Sequence, residues 1–180
     1  MIQRDNVRVC VPRYLQIGKG SLNQLPEIIK ILGSINSLLI VTDKQMVKFG
    51  YVKKLQEVLM KDGIKSDVFD DTVPDPTDTV VLNGINYLEK FKNDAVIGFG
   101  GGSPIDTAKA IAAMAKYSKN IQDYKPPSIF DKKGLPIIAI PTTAGTGSEV
   151  THHAVIIDSN NNEKISCRGE GFVPICAIID

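Results

Sequence analysis

Two loops of small residues, each placed directly after a short apolar run, constrain this chain more than any other feature. The first is Gly98–Lys109, Gly-Phe-Gly-Gly-Gly-Ser-Pro-Ile-Asp-Thr-Ala-Lys; the second is Pro141–Thr151, Pro-Thr-Thr-Ala-Gly-Thr-Gly-Ser-Glu-Val-Thr. Closely spaced glycines let the backbone approach a ligand, and a helix start offers unpaired N–H groups to an anion. Two such loops on a strand-rich chain predict that it binds the phosphate groups of a nucleotide.

Short apolar runs alternate with helical patterns along the chain. The runs at Ser37–Thr42, Ala95–Phe99 and Pro136–Ile140 are typical of strands buried on both faces. Because alternating strands and helices form right-handed βαβ units, we predict an α/β fold with a parallel sheet and helices on both faces. The other predicted elements are strands at Val7–Ile17, Ser66–Phe69, Ala154–Asp158, Lys164–Cys167 and Ile175–Ile179, helices at Leu22–Leu32 and Lys44–Lys61, a helix capped by Thr77 or Asp78 that ends near Lys92, a helix from Ser103 to Tyr117, and a surface loop at Lys119–Gly134.

The composition fits one ordinary globular domain over residues 1–180 and excludes several partners. Hydrophobic residues make up 43% of the chain, charged residues 23%, and the formal net charge is +1. Nucleic acids and membrane surfaces select for basic patches, so we expect neither as a partner. No apolar run approaches the roughly 20 residues of a membrane helix, and we expect no signal peptide. Three cysteines without CxxC spacing predict reduced thiols in a cytoplasmic protein.

The glycine loop has two interpretations, and its sequence leaves both open. We predict Ser103 at the N-cap of a helix, Pro104 at its first position and Asp106 at its third. In one interpretation the glycines, the Ser103 hydroxyl and the helix dipole bind a pyrophosphate. In the other the loop is a structural strand-to-helix turn capped by Ser103 and Asp106. The pattern is not Gly-x-Gly-x-x-Gly, because Ser103 stands at the last position.

Asp43 follows the predicted strand Ser37–Thr42. A carboxylate at such a strand end can accept hydrogen bonds from an adenosine ribose, and its charge repels a 2′-phosphate, which favours NAD over NADP. The alternative is an aspartate that only caps the helix starting at Lys44. Local sequence does not separate the two roles.

The second loop supplies hydroxyl groups, and Gly145 and Gly147 let its backbone bend. A nucleophilic role for Ser148 is disfavoured, because the order Gly-Thr-Gly-Ser-Glu is not Gly-x-Ser-x-Gly. The residues with hydroxyl groups are Thr142, Thr143, Thr146, Ser148 and Thr151.

The two histidines are adjacent, and strand neighbours point to opposite faces, so we do not expect His152 and His153 to bind one metal ion. A site that joins one of them to Cys167 or Cys176 is the weaker alternative. We predict that the acidic cluster is a solvated turn; its members are Asp70, Asp71, Asp75 and Asp78.

Together these motifs resemble the iron-containing (group III) alcohol dehydrogenase family. The resemblance extends over nearly the whole chain, and its glycine and threonine motifs are highly specific. Glycerol dehydrogenases and dehydroquinate synthases share a triple glycine, but their second loop differs. The matching segments are Gly18–Leu22, Val41–Asp43, Pro74–Thr77, Gly100–Ile111, Leu135–Pro136, Ile140–Thr151, Lys164 and Ala177–Asp180.

The resemblance implies a Rossmann-like domain that binds NAD(P). By this resemblance Asp43 would bind the adenosine ribose, and Lys164 would reach the ribose on the nicotinamide side. Gly101, Gly102 and Ser103 would bind the pyrophosphate, with Asp106 supporting the loop. The residues expected along the stretch from the phosphates to the nicotinamide are Thr142, Thr143, Thr146, Ser148 and Thr151. Two segments depart from the pattern: Asp75 stands where the family often has Asn, and Ser166–Pro174 is atypical.

In the family, an Asp and three His from a helical C-terminal domain hold the iron or zinc that polarises the alcohol oxygen. None of these ligands is found before Asp180, so we expect the chain to hold no metal and to oxidise no alcohol by itself. The expected whole is an NAD-dependent, homo-oligomeric enzyme acting on alcohols and aldehydes, of which this chain is an excised domain, a truncated product or half of a split protein. Alternatives are a non-catalytic nucleotide-binding or dimerisation module, or a relative of glycerol dehydrogenase.

Overall fold

The structure, a computed structural model, describes residues 9–33 and 35–180. Strands and helices alternate along the chain, and 3₁₀ helices cover Ser21–Gln24, Ile121–Tyr124 and Glu170–Phe172. The elements are β1 (Tyr14–Ile17), α1 (Leu25–Leu32), β2 (Ser37–Val41), α2 (Lys44–Lys48), α3 (Tyr51–Lys61), β3 (Lys65–Phe69), α4 (Asp78–Phe91), β4 (Ala95–Gly100), α5 (Gly102–Met114), β5 (Ile137–Pro141), β6 (His153–Asp158), β7 (Glu163–Arg168) and β8 (Cys176–Ile179).

Six strands form one sheet in the order β1-β8-β5-β4-β2-β3, and every neighbouring pair is parallel. The chain runs outward from β2 to β3 and then crosses back to β4 on the other side of β2. The remaining strands, β6 and β7, form a separate antiparallel hairpin. The predicted α/β fold with a parallel sheet is therefore confirmed. The order in which the strands are added changes direction between β2 and β4.

Alternate side chains of each central strand enter two apolar cores, one on either face of the sheet. In β2, Leu39 and Val41 pack with α4 and α5, whereas Leu38 and Ile40 pack with α1 and α3. All four are fully buried, which is why this strand has no polar alternation in its sequence. Helices cover both faces, as predicted.

Three predicted elements have different limits in the structure. The single helix predicted at Lys44–Lys61 is divided into α2 and α3, because Gly50 takes a left-handed conformation between them. The N-terminal strand, predicted from Val7, begins at Tyr14, because its partner β8 offers four residues to pair with; residues 7 and 8 lie outside the described part. The helix predicted to reach Tyr117 ends at Met114, where the Ala112 carbonyl also accepts a hydrogen bond from Leu135 N–H.

The segment predicted as a surface loop, Lys119–Gly134, is partly internal. Its 3₁₀ helix buries Ile121 and Tyr124, because the Tyr124 ring packs edge-on against Phe130 and Phe172 at 5.3 and 6.0 Å between centroids. Burial raises the pKa of Tyr124 to about 12, while its hydroxyl donates to the Ser118 carbonyl at 2.8 Å. An aromatic cluster therefore fixes this segment against the hairpin.

All three cysteines are free; Cys167 and Cys176 are buried and Cys10 is half-buried. Within the described ranges, no helix is both long and apolar enough to cross a bilayer.

Candidate nucleotide-binding site

A cleft of about 570 Å³ opens at the carboxyl ends of β2 and β4. This is the point where the strand order reverses, the usual ligand site of open α/β sheets. Six of the predicted site residues line it: Asp43, Gly101, Gly102, Ser103, Thr142 and Thr143. The other lining residues are Lys44, Gln45, Met46, Phe49, Asp70, Asp71, Thr72, Val73, Pro74 and Pro104.

Asp43 both caps a helix and faces the cleft. Its Oδ1 accepts hydrogen bonds from the N–H groups of Gln45 and Met46 at 2.9 and 3.0 Å. Asp43 is therefore the N-cap of α2, as the alternative interpretation predicted. Its Oδ2 accepts no hydrogen bond from the residues that the structure describes, and it lies 3.6 Å from the position of a Cβ on Gly100. One oxygen of the same carboxylate thus holds α2 while the other remains available to a ligand.

The predicted capping arrangement of the glycine loop is wrong. The N-cap of α5 is Gly101, so Ser103 and Pro104 are the second and third helical residues and Asp106 lies one turn in. No side chain caps this end of the helix. A glycine at the N-cap has no side chain to offer, so no side chain caps the first-turn N–H groups of Gly102 and Ser103, two residues that line the cleft. Such an end favours an anion.

The two loops touch each other. Thr142 N–H donates to the Gly100 carbonyl at 2.8 Å, which continues the ladder between β4 and β5 into the loops. A Cβ on Gly101 would lie 3.4 Å from Thr143 Oγ1, and one on Gly102 would lie 3.3 Å from Ser148 Oγ. Side chains on these glycines would therefore press against the second loop and fill the groove between the loops.

Behind the loops, polar side chains are buried. Asp106 Oδ2 accepts a hydrogen bond from Val155 N–H at 3.0 Å, and the Ser148 side chain also favours the charged form of the Asp106 carboxylate. Burial raises the pKa of Asp106 above its ordinary value, against the effect of these interactions. Asp106 thus joins α5 to β6, the strand that follows the second loop.

Lys164 is not at the cleft. It lies on β7 and forms an ion pair with Asp75 Oδ1 at 2.7 Å, with both side chains more than half exposed. Asp75 sits in a left-handed backbone conformation (φ 52°) beside Pro74, which lines the cleft. The atypical Asp75 therefore holds the lysine that was expected to reach the cofactor. Four further predicted residues do not line the cleft. Thr146 is exposed close to Gly102, and the others are buried or half-buried: Ser148, Thr151 and Asp106.

The acidic turn belongs in part to the site, a feature that the sequence did not indicate. Asp70 and Asp71 line the cleft, and Asp71 pairs with Lys44 at 3.1 Å. The pKa of Lys44 is raised by the interaction of its ammonium group with the Asp71 carboxylate, and further by the charge of Asp70. An antiparallel bridge between Asp43 and Asp71 brings the ends of β2 and β3 together, and this pairing is not visible in local sequence.

Sequence reasoning also missed Phe49 and Lys109. Phe49 lines the cleft with 64% of its surface exposed, an unusual position for a phenyl ring. Lys109 has no exposed surface and contacts the second loop. The sequence does contain a signal for Lys109, because this lysine stands among the apolar residues Ala108, Ala110 and Ile111.

The histidine rings do not diverge as predicted. His152 precedes β6, so its side chain need not point to the face opposite that of His153. The centroids of the two rings lie 4.1 Å apart, with the ring planes tilted by 37°. Burial lowers the pKa of His153, as do the charges of His152, Lys109 and Arg168. Across the ranges 9–33 and 35–180, no three His, Cys, Asp or Glu side chains cluster as a metal site would require.

Comparison with known proteins assigns the family. The model of the family "Iron-containing alcohol dehydrogenase" matches residues 12–180. The chain is 36% identical to the NAD-dependent methanol dehydrogenase of Bacillus methanolicus, covering 94% of this chain and 44% of that protein. It is 33% identical to the NADPH-dependent butanol dehydrogenase of Clostridium saccharobutylicum, with 97% and 45% covered.

A solved structure agrees with these sequence matches. Sulfoacetaldehyde reductase from Bifidobacterium kashiwanohense, in complex with NAD⁺, superposes with a TM-score of 0.87 and 33% identity, over 98% of this chain and 46% of that one. The chain thus spans a little under half the length of the relatives it matches, and it corresponds to the N-terminal portion of the family. A glycerol dehydrogenase relative and a non-catalytic module are not better supported. The chain therefore belongs to the iron-containing alcohol dehydrogenase family.

Proposed function

We propose that this chain is the NAD-binding half of a metal-dependent alcohol dehydrogenase, which transfers hydride between an alcohol or aldehyde and nicotinamide. The observation that carries the proposal is the uncapped, glycine-rich start of α5, which shares one cleft with Asp43 at the reversal point of the sheet. The family membership and the NAD⁺ complex of the similar reductase support it.

In this proposal each part of the cleft binds one part of the cofactor. The free Oδ2 of Asp43 accepts hydrogen bonds from the adenosine ribose, and Gly101, Gly102 and Ser103 hold the pyrophosphate through backbone N–H groups. Thr142 and Thr143 continue the surface toward the nicotinamide, and Thr146, Ser148 and Thr151 shape the second loop. Lys164 reaches the second ribose after it leaves Asp75.

We further propose that the chain prefers NAD to NADP. Three carboxylates line the adenosine end of the cleft, those of Asp43, Asp70 and Asp71. Among the residues that the structure describes, Asp71 alone of the three forms an ion pair, with Lys44. A 2′-phosphate placed beside them would meet like charges in a partly desolvated site, which costs about 1–3 kcal/mol. One relative is an NADPH-dependent butanol dehydrogenase, so the cofactor preference of this chain has to be measured directly.

Calorimetric titration with NAD and NADP tests both statements. We expect NAD to bind about 10- to 100-fold more tightly than NADP. Asp43→Asn should reduce that ratio below about fivefold, since asparagine keeps the helix cap but removes the charge. Glu89→Gln is the matched control, because Glu89 pairs with Lys119 away from the cleft. Failure to bind either nucleotide would refute the nucleotide site; equal affinities would refute only the preference.

The metal chemistry is proposed to reside outside residues 1–180, which form the dinucleotide-binding domain. A helical domain would supply the ligands for iron or zinc, and the bound ion would polarise the alcohol oxygen. The chain alone should then show no metal-dependent NADH formation with a panel of primary alcohols and diols. One tightly held iron or zinc per chain, with turnover lost in His152→Ala or His153→Ala, would overturn this division. A homo-oligomeric, cytoplasmic enzyme is part of the same proposal.

A further inference from the structure

Lys109 is buried in a place where a lysine is costly. Its side chain has no exposed surface, and its neighbours in α5 are fully buried apolar residues such as Ala110 and Ile111. Lysine is almost never fully buried unless its charge is paired or hydrogen-bonded. A compensating interaction is therefore required, and the structure identifies it in the second loop.

The Lys109 ammonium group contacts three oxygens. Nζ donates to the Thr151 carbonyl at 2.9 Å, the His153 carbonyl at 2.8 Å and Thr151 Oγ1 at 3.4 Å. An ammonium carries three N–H donors, which matches the number of acceptors. The acceptors lie at the end of the second loop and the start of β6, 42 and 44 residues from Lys109. The side chain thus joins the helix of the glycine loop to the second loop.

Titratable groups from several neighbouring elements lie around this position, with Arg168 next to His153. Asp106 lies one turn back on α5, Glu149 is in the second loop, His153 begins β6 and Arg168 ends β7. Burial lowers the pKa of Lys109 to about 8, against the attraction of Asp106 and Glu149. Buried atoms without a hydrogen-bond partner in the described chain include Asp106 Oδ1 and Glu149 Oε2. The polar cluster is therefore held mainly by the three bonds of the ammonium group.

We propose that Lys109 is a positioning residue for the nucleotide site: its ammonium form holds the second loop in the shape that binds the cofactor. The inference rests on the proposed function, since it concerns the same cleft. A neutral amine has two N–H donors for three acceptors, so deprotonation releases one contact with the loop. Lys109 does not line the cleft, and its effect on the nucleotide is transmitted through Thr151 and the loop.

The test is the affinity for NAD as a function of pH, measured by calorimetry on the chain between pH 7 and pH 9.5. We expect the wild-type affinity to fall about fivefold or more as the pH rises through about 8, the size of one lost charged hydrogen bond. Lys109→Gln should bind weakly at every pH, without that step. Lys109→Arg, which stays charged, should restore part of the affinity with a flat profile. Lys116→Met, at an exposed position just after α5, is the control and should follow the wild type.

A wild-type affinity that is constant over this pH range would overturn the proposal, as would Lys109→Gln binding NAD like the wild type. Circular dichroism at each pH shows whether a variant is folded; if the buried substitutions unfold the chain, the wild-type profile alone decides. A wild-type chain that binds no NAD at any pH would refute the proposed function itself. A chain that binds NAD with no dependence on Lys109 would refute only this inference.

Discussion

The two loops of the cleft reach the same place by different means. The glycine loop is positioned by its own neighbours in sequence: β4 enters it, α5 leaves it, and its functional atoms are backbone N–H groups. The second loop is followed by a hairpin that lies outside the main sheet, and it is held by side chains from far along the chain. Lys109 binds the end of this loop at Thr151, and Asp106 binds Val155 in the strand that follows it. A binding site made of backbone N–H groups can therefore form from local structure. A loop held by side chains from distant parts of the sequence depends on tertiary contacts.

The sharpest way to break the first loop is to add bulk at Gly102. We expect Gly102→Val to weaken NAD binding at least about 100-fold, because its side chain fills the groove where the phosphates would lie. Its Cβ would meet Ser148 Oγ at 3.3 Å and Thr146 Cβ at 3.4 Å, in a loop that can shift, so the fold should survive. Calorimetry and thermal unfolding measure the two effects.

Gly98→Val is the contrasting variant. Its Cβ would lie 2.8 Å from the Ile105 Cα in packed backbone, so it should lower the unfolding free energy by about 3 kcal/mol. If Gly102→Val bound NAD normally while remaining folded, the glycine loop would be a structural turn only.

The second loop can be examined through stability as well as binding. The pKa of Lys109 is depressed in the folded chain, so the unfolded chain binds more protons above pH 8. The Lys109 contribution to stability should therefore increase with pH, by about 1 kcal/mol between pH 8 and pH 9. Urea unfolding of wild type and Lys109→Met at both pH values gives this difference; a wild-type advantage that shrinks over this interval would contradict it. Cofactor affinity is expected to change in the opposite direction.

The apolar wall of the cleft gives a smaller effect. Phe49 is 64% exposed beside Asp43, where the adenine would lie, so Phe49→Ala should weaken NAD binding about fivefold through lost ring contact. Tyr51→Ala is the control, because Tyr51 packs edge-on against Phe49 but does not line the cleft.

A fluorescence experiment locates the adenine. The chain has no tryptophan, so Phe49→Trp adds a single fluorescent side chain in the cleft. Its fluorescence should respond to AMP and not to nicotinamide mononucleotide; the reverse would place the adenine elsewhere.

The smallest change concerns the ion pair between Asp75 and Lys164. Both side chains are exposed, so Asp75→Asn should alter the unfolding free energy by less than about 0.5 kcal/mol. Because it frees Lys164, we expect NAD to bind about two- to threefold more tightly. Lys164→Met combined with Asp75→Asn should remove that gain. A gain that persists in the double variant would show that Lys164 is not the cause.

Much of the fold could be predicted because its signals are local. Buried parallel strands are continuous apolar runs, as in β2 and β4, and helix ends have glycine or threonine where the chain must turn or cap, as Thr77 does for α4. The predicted capping of α5 is wrong, because local preference favours serine over glycine at an N-cap, whereas the helix starts after Gly101. Because β4 ends at Gly100 and α5 begins at Gly102, the residue between them, Gly101, is the N-cap.

Residue order alone predicts the alternation of strands and helices, the two loops and the family, because periodicity and the spacing of small residues are short-range features. Which polar groups meet depends on the tertiary fold. It placed Asp71 beside Asp43 through a strand bridge, buried Lys109 against Thr151, and paired Lys164 with Asp75 away from the cleft. These contacts join residues far apart in the chain, and their energies depend on burial and distance, which no local pattern records.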